Sequence, residues 1–392
     1  MFRRRIYLDY ASLTPIDRRV LGVMKKFSSR EYANPSSIYK EGVKARKILE
    51  ESRKTVGRIL GGRAEEIFFT SGGTEANNLA ILGTAQAARM AGREKPHLII
   101  SAIEHSSVME CANLLEKWGM EVTRLSVDSS GSISLEELKK AIRPETFLVS
   151  VMMVNNEIGT VQKIREIAKI VRHFRNNLSA ADHQLPTTDY QPLLFHTDAS
   201  QAALFYDLKV ESLGADLLTI DGGKVYGPRG IGALYVKKGT PISPVLAGGG
   251  QERGLRSGTE NLPAIAGLAK ALELADKERE KESRRVAELK DFLLTGLKKI
   301  RPDLKVNGSS GSESSPHILN VSIPGIDNEF FLLRLDAKGV AVSTKSSCLR
   351  DSDQSYVLQA IGANSRDSLR FSLGRWTTKR EIKAVLALIS LF

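Results

Sequence analysis

Short apolar runs separated by helix-period segments constrain the first two-thirds of this chain more than any other feature. Runs of strand length fall at residues 66–70, 97–101, 147–151, 193–197 and 216–220, and helical periodicity occupies 74–90, 106–118, 134–142 and 164–174. Strands that are apolar on both faces need a covering layer on each side, and the intervening helices supply both. The pattern therefore predicts an α/β domain with a mostly parallel sheet sandwiched by helices. After Thr259 the character changes to one long helical stretch, 262–300, followed by shorter mixed elements that end in a helical segment at 379–391. The expected division is a large domain over 16–259 and a smaller α+β domain built from 1–15 together with 260–392. Residues 175–190, polar and without periodicity, are expected to form an inserted surface loop.

Several function classes are excluded at this stage. Two cysteines, Cys111 and Cys348, cannot build a disulfide framework or an all-cysteine metal site, and they fit a reducing compartment. The net charge of +12 is dispersed, and its densest stretch, 277–285, alternates acids with bases as a solvated helix face does. No groove-reading motif accompanies it, so specific nucleic-acid binding is not expected. No apolar stretch is long enough to span a bilayer, and the basic start lacks the apolar core of a signal peptide, so the expected compartment is the cytoplasm.

The chemistry-bearing residues gather where the strand-like runs stop. Thr70-Ser71-Gly72-Gly73-Thr74 closes one run and opens a helix, so backbone N–H groups are left for an anion such as phosphate. His105 follows the next run, where an imidazole can stack on a flat ring. Asn155-Asn156 follows a third run and Asp198 a fourth, the latter placed to hold a pyridinium nitrogen by a charge-assisted hydrogen bond. Lys224 sits at a glycine-flanked turn, Asp221-Gly222-Gly223-Lys224, between two apolar runs; a desolvated lysine there can condense with an aldehyde. In an open α/β sheet, ligands bind beyond the carboxyl ends of the strands.

These motifs, with 6–10, 34–37, 248–259 and 369–375, occur in an order that resembles the NifS/IscS-like cysteine desulfurases over nearly the whole chain. The resemblance implies a pyridoxal 5′-phosphate enzyme of fold type I, in the class V aminotransferase group. Its large domain would carry a mostly parallel seven-stranded sheet, and it would act as a homodimer whose sites are completed across the interface. By the same resemblance Lys224 is the Schiff-base lysine, His105 stacks on the ring, and Asp198 pairs with the ring nitrogen. Asn156 and Gln201 contact the ring oxygen, Gly73 and Thr74 bind the phosphate, and Thr259 reaches the partner subunit's phosphate. Arg370, helped by Asn34, holds the carboxylate of L-cysteine, and Cys348 takes its sulfur as a persulfide for a sulfur-acceptor protein, supplying iron–sulfur clusters or tRNA thiolation. Lys345 and Arg350 beside Cys348 favour the thiolate that attacks. Cys111, among apolar residues of a helix, is expected to be packed rather than reactive.

The chain departs from the family pattern next to the lysine. Gly223 stands where the family has histidine, and Asp221 where it has a serine or threonine that donates to phosphate. These departures keep two other readings open: a related pyridoxal enzyme, such as a selenocysteine lyase, aminotransferase or β-lyase, and a non-catalytic homologue that serves as a binding partner.

Overall fold

A computed structural model of the chain describes residues 5–29, 31–93, 95–181, 192–344 and 354–391, without the side chains of 178–181. In chain order the strands are β1 Ile6–Tyr7, β2 Ile67–Thr70, β3 His97–Ser101, β4 Glu121–Leu125, β5 Thr146–Ser150, β6 Leu194–Asp198, β7 Leu217–Asp221, β8 Gly232–Val236, β9 Lys305–Asn307, β10 Ile318–Ser322, β11 Val340–Ala341 and β12 Ser368–Ser372. The helices are α1 Arg18–Ser29, α2 Lys40–Leu60, α3 Gly73–Met90, α4 Ser106–Lys117, α5 Leu135–Ala141, α6 Ile164–Ala181, α7 Val210–Leu213, α8 Leu262–Ile300, α9 Asn328–Ala337, α10 Tyr356–Ala360 and α11 Lys379–Ile389.

Seven strands form the large sheet in the order β2-β8-β7-β6-β5-β3-β4, the mostly parallel arrangement expected from the sequence. Only β8 runs against its neighbours β2 and β7. The reason is covalent: the link from Asp221 to Gly232 is too short for the crossover that a parallel strand needs, so the chain returns antiparallel. Strands β3, β5 and β6 are buried along their whole length, as their unbroken apolar runs require.

Two elements differ from the sequence expectation. Strand β4 was not expected; it pairs only with β3, and its partly exposed, polar-containing edge sequence lacks the apolar run that marks a central strand. The helix expected to stop at 174 continues as α6 to Ala181. Arg175 explains this extension: its Nε donates to Leu193 O at 2.7 Å and its guanidinium pairs with Asp216, so a residue read as loop is tied to the sheet by its side chain. The rest of the expected insertion, 182–190, lies outside the described residues.

Beyond the large sheet, β9, β10 and β12 form an antiparallel sheet, and β1 pairs parallel with β11. Helix α8 joins the two cores. Its first half, from Leu262 to Leu274, packs with the large-sheet core, while Val286, Leu289, Leu293 and Leu297 pack with Leu8, Leu319 and Phe371 in the second. Asn261 caps its start by accepting from Ala264 N at 3.2 Å. Among the described residues no helix is long and apolar enough to cross a membrane, and no group of three or more His, Cys, Asp or Glu is placed to hold a metal ion.

Candidate functional site

The sheet's topology brings the carboxyl ends of β2, β3, β5, β6 and β7 to one side, where they surround a cavity of about 200 Å³. At its floor Lys224 ends the tight turn that follows β7. That turn needs glycine at 222, because a Cβ there would stand 2.7 Å from Pro228 O and 2.8 Å from Ile231 O. The segment after β1 closes over the lysine: Nζ donates to Ala11 O at 3.0 Å and to Ser12 O at 2.5 Å. Thr14 Oγ1 holds the same segment down by donating to Gly223 O at 2.8 Å.

Asp198, the last residue of β6, is fixed from two directions. Its Oδ1 accepts from Ser200 N at 2.9 Å and its Oδ2 from Asn77 Nδ2 at 2.8 Å. Asn77 also donates to Ser107 Oγ at 2.9 Å, while its Oδ1 is buried without a partner among the described residues. Gln201 donates through Nε2 to Ala11 O at 2.9 Å, and its Oε1 lies 3.2 Å from His317 Nε2. Burial pushes His317 down to about 3, so its ring is neutral; the tautomer that satisfies both neighbours donates from Nε2 to Gln201 and accepts at Nδ1 from Ser315 Oγ at 2.6 Å.

His105 caps α4, its Nδ1 accepting from Ser107 N at 3.2 Å, and its ring lines the cavity. Behind it Glu104 is fully buried: Oε1 accepts from Ser101 Oγ at 2.5 Å and Met152 N at 2.9 Å, and Oε2 has no partner among the described residues. Burial pushes its carboxyl up to about 8, so it is a neutral acid at pH 7.

Arg370, on β12, is 2% exposed and carries the second core's contribution to the cavity. Nη1 donates to Asn156 O at 2.8 Å, and Nη2 donates to both Asp9 Oδ1 and Ser12 Oγ at 2.8 Å. A guanidinium gripped on these atoms has its plane set before any ligand arrives. Gly72, at φ 152°, a conformation that favours glycine, precedes α3, which presents the amide of Gly73 to the cavity. That amide is taken: Asp221 Oδ2 accepts from Gly73 N at 3.0 Å, and Asp221 Oδ1 accepts from Gly223 N at 2.6 Å.

Of the residues singled out in the sequence, Gly73, Thr74, His105, Asn156, Asp198, Gln201, Lys224 and Arg370 line this one cavity. Asn34 and Thr259 do not: both are exposed, Asn34 in a turn where its Oδ1 accepts from Ser36 N at 2.9 Å, and Thr259 ahead of α8. Cys348, with Lys345 and Arg350, lies outside the described residues. The flanks of its segment are described and lie beside the cavity: Ser343 exchanges backbone hydrogen bonds with Arg370, and Ser355 Oγ donates to Glu157 Oε2 at 2.7 Å. Cys111 is buried in α4, and burial pushes its thiol up to about 12, which keeps it unreactive.

Asn77, Ser107 and Ser12 belong to the site without having been assigned roles from sequence. For Asn77 a signal existed: it falls on the buried side of α3 with Ala76, Ala80, Ile81 and Thr84, where a lone amide needs a polar partner.

The aminotransferase class-V family model matches residues 6–185 and 187–385. Cysteine desulfurase IscS of Dictyoglomus turgidum is 42% identical over 388 residues, covering 98% of this chain and 93% of that protein. Its namesake from Methanosarcina thermophila is 41% identical over 390 residues, 98% of this chain and 91% of its own. Among solved structures, a NifS-like protein superposes with a TM-score of 0.88 at 33% identity, over 99% of this chain and 98% of the other. SspA in complex with cysteine gives 0.77 at 36% identity, over 95% and 100%. With likeness of this extent in sequence and in fold, the chain belongs to the aminotransferase class-V family, in its NifS/IscS-like cysteine desulfurase group.

Proposed function

We propose that this protein is a cysteine desulfurase that uses pyridoxal 5′-phosphate at Lys224 to move the sulfur of L-cysteine onto Cys348, leaving L-alanine. One observation carries the reading: a primary amine, a fixed carboxylate and a fixed guanidinium, from Lys224, Asp198 and Arg370, converge in a single cavity of a chain whose full-length relatives bear that name. The cavity suits the ring end of the cofactor, because Asp198 is already oriented by Asn77 and Ser200. At the phosphate end α3 offers its first turn, with Asp221 lying across it.

When bound, the cofactor supplies an electron sink for the charge left as the substrate's α-proton departs. The chain's own residues do the rest. Arg370 receives the substrate carboxylate in a bidentate pair, which sets the orientation of the α-carbon. Lys224 Nζ is the amine that would hold the cofactor's aldehyde carbon, and as a free amine it would carry the proton. His105 would cover the ring face, and Asp198 would keep the ring nitrogen protonated. The Cys348 thiolate attacks the substrate sulfur; the bond from sulfur to the β-carbon breaks, the β-carbon takes a proton, the α-carbon regains the proton it had lost, and the products are L-alanine and an enzyme persulfide.

Exposed Asn34 and Thr259 fit this reading as residues that act in a homodimer, Thr259 toward the partner's phosphate and Asn34 toward the carboxylate. The persulfide would pass to a sulfur-acceptor protein in the cytoplasm, for iron–sulfur clusters or tRNA thiolation. The division into 16–259 and 1–15 plus 260–392 belongs to the same reading, with α8 shared between the two cores.

The deciding experiment incubates the purified protein, loaded with cofactor, with L-cysteine and a reductant. Sulfide and alanine are expected in equal amounts, with production lost in Cys348→Ser. Absence of both products, or full activity in that variant, overturns the reading.

A further inference from the structure

The anion-accepting start of α3 already holds an anion, and it belongs to the chain itself. Asp221 bridges two backbone amides, accepting from Gly73 N at 3.0 Å through one oxygen and from Gly223 N at 2.6 Å through the other. Gly223 is part of this arrangement, since a Cβ there would stand 3.1 Å from Asp221 Oδ1 and 3.0 Å from Leu13 Cδ1. The glycine therefore leaves room for the carboxylate that its own amide binds. At Gly73, too, a Cβ would meet Asp221 Oδ2 and Ser200 Oγ, each at 3.2 Å. Asp221 and Thr74 line the same cavity as Lys224, so the bridged amides face the space in which the lysine lies.

A phosphate entering this end meets a carboxylate of like charge on the amides it would use, whereas a neutral hydroxymethyl group can donate to that carboxylate. We propose that Asp221 is the specificity-determining residue that sets how far this chain distinguishes phosphorylated from unphosphorylated pyridoxal, by keeping its carboxylate on the Gly73 and Gly223 amides. The inference rests on the cofactor reading above and extends it. Phosphate binding requires the carboxylate to leave its two amides, so pyridoxal 5′-phosphate is held loosely and exchanges readily, while pyridoxal binds with the carboxylate in place.

The test titrates full-length wild type, Asp221→Ser and the isosteric Asp221→Asn with pyridoxal 5′-phosphate and, separately, with pyridoxal, reading the absorbance of the lysine-bound aldehyde; Lys224→Ala is the control for lysine dependence. In wild type the two dissociation constants are expected to lie within about tenfold of each other. In both Asp221 variants the constant for the phosphorylated form should fall on the order of 100-fold, while that for pyridoxal changes less than about threefold. Equal shifts for the two ligands, or a wild type that binds the phosphorylated form as tightly as the variants do, overturns the proposal while leaving the cofactor reading intact. Absence of lysine-dependent absorbance with either ligand in wild type and both variants overturns the cofactor reading, and the proposal with it.

Discussion

Asn77 Nδ2 lies 2.8 Å from Asp198 Oδ2, joining the first turns of α3 to the end of β6 across 121 residues of sequence. The amide points the carboxylate into the cavity, and its second bond, to Ser107, extends the same brace to α4. Removing the charge should cost more than removing the brace. Asp198→Asn retains an acceptor for Ser200 N but cannot hold a ring proton, and sulfide release from L-cysteine is expected to fall on the order of 100-fold or more. Asn77→Ala should lose about tenfold, and the double variant should lose no more than Asp198→Asn alone, because the brace acts through the carboxylate. Full activity in Asp198→Asn would remove it from the mechanism.

Arg370 distributes one guanidinium over Asn156 O, Asp9 and Ser12. A lysine there keeps the charge but has neither the planar fork nor the reach to hold all three. In Arg370→Lys the KM for L-cysteine should rise at least tenfold, with a smaller change in kcat, the pattern of an interaction made already in the bound substrate. Steady-state kinetics over a wide cysteine range distinguishes this from a loss confined to kcat.

Arg53 and Glu252 form a bidentate ion pair with side chains 2% and 1% exposed, at 2.7 and 2.9 Å. Glu252 Oε2 also accepts from Phe69 N at 2.9 Å, so the pair fastens the 248–259 loop to α2 and β2, although Glu252 and Arg253 both have positive φ, at 47° and 57°. Arg53→Met strands a buried carboxylate and should lower stability by about 3–5 kcal/mol. Arg53→Met with Glu252→Leu should recover part of that loss in chemical denaturation, since no charge is then left unpaired.

Glu104 links stability to pH. Its carboxyl is raised from 4.5 to about 8 in the fold, so between those values the native state keeps a proton that the unfolded chain has released. The contribution is complete below pH 4.5 and is lost as pH rises through 8, at up to about 1.4 kcal/mol per pH unit. Glu104→Gln keeps the acceptor for Ser101 and Met152 and does not titrate. Its thermal midpoint should exceed that of wild type at pH 8, with the advantage shrinking toward pH 5. His196 acts with the opposite sign: burial lowers it to about 4, so its share of stability is present above pH 6.5 and lost as pH falls toward 4. Replacing it should make the acid side of the profile less steep and leave the alkaline side unchanged.

What the sequence by itself determined is what depends on near neighbours. Apolar runs and helical periodicity marked the central strands and covering helices, because burial on two faces or one is written in spacing of a few residues. Glycine-flanked Lys224, and Asp198 and His105 just past their strands, were recognisable for the same reason. Edge strand β4 and the last turns of α6 were not: the first lacks an apolar run, and the second is held by Arg175 reaching Leu193 and Asp216. Tertiary structure alone decided that Asp221 lies on the amide of Gly73, that Asn77 braces Asp198, and that Asn34 and Thr259 stay outside the cavity. Hydrogen-bond partners 148 and 121 residues apart leave no local period to read, since direction and distance arise only when β2, β6 and β7 are laid side by side in one sheet.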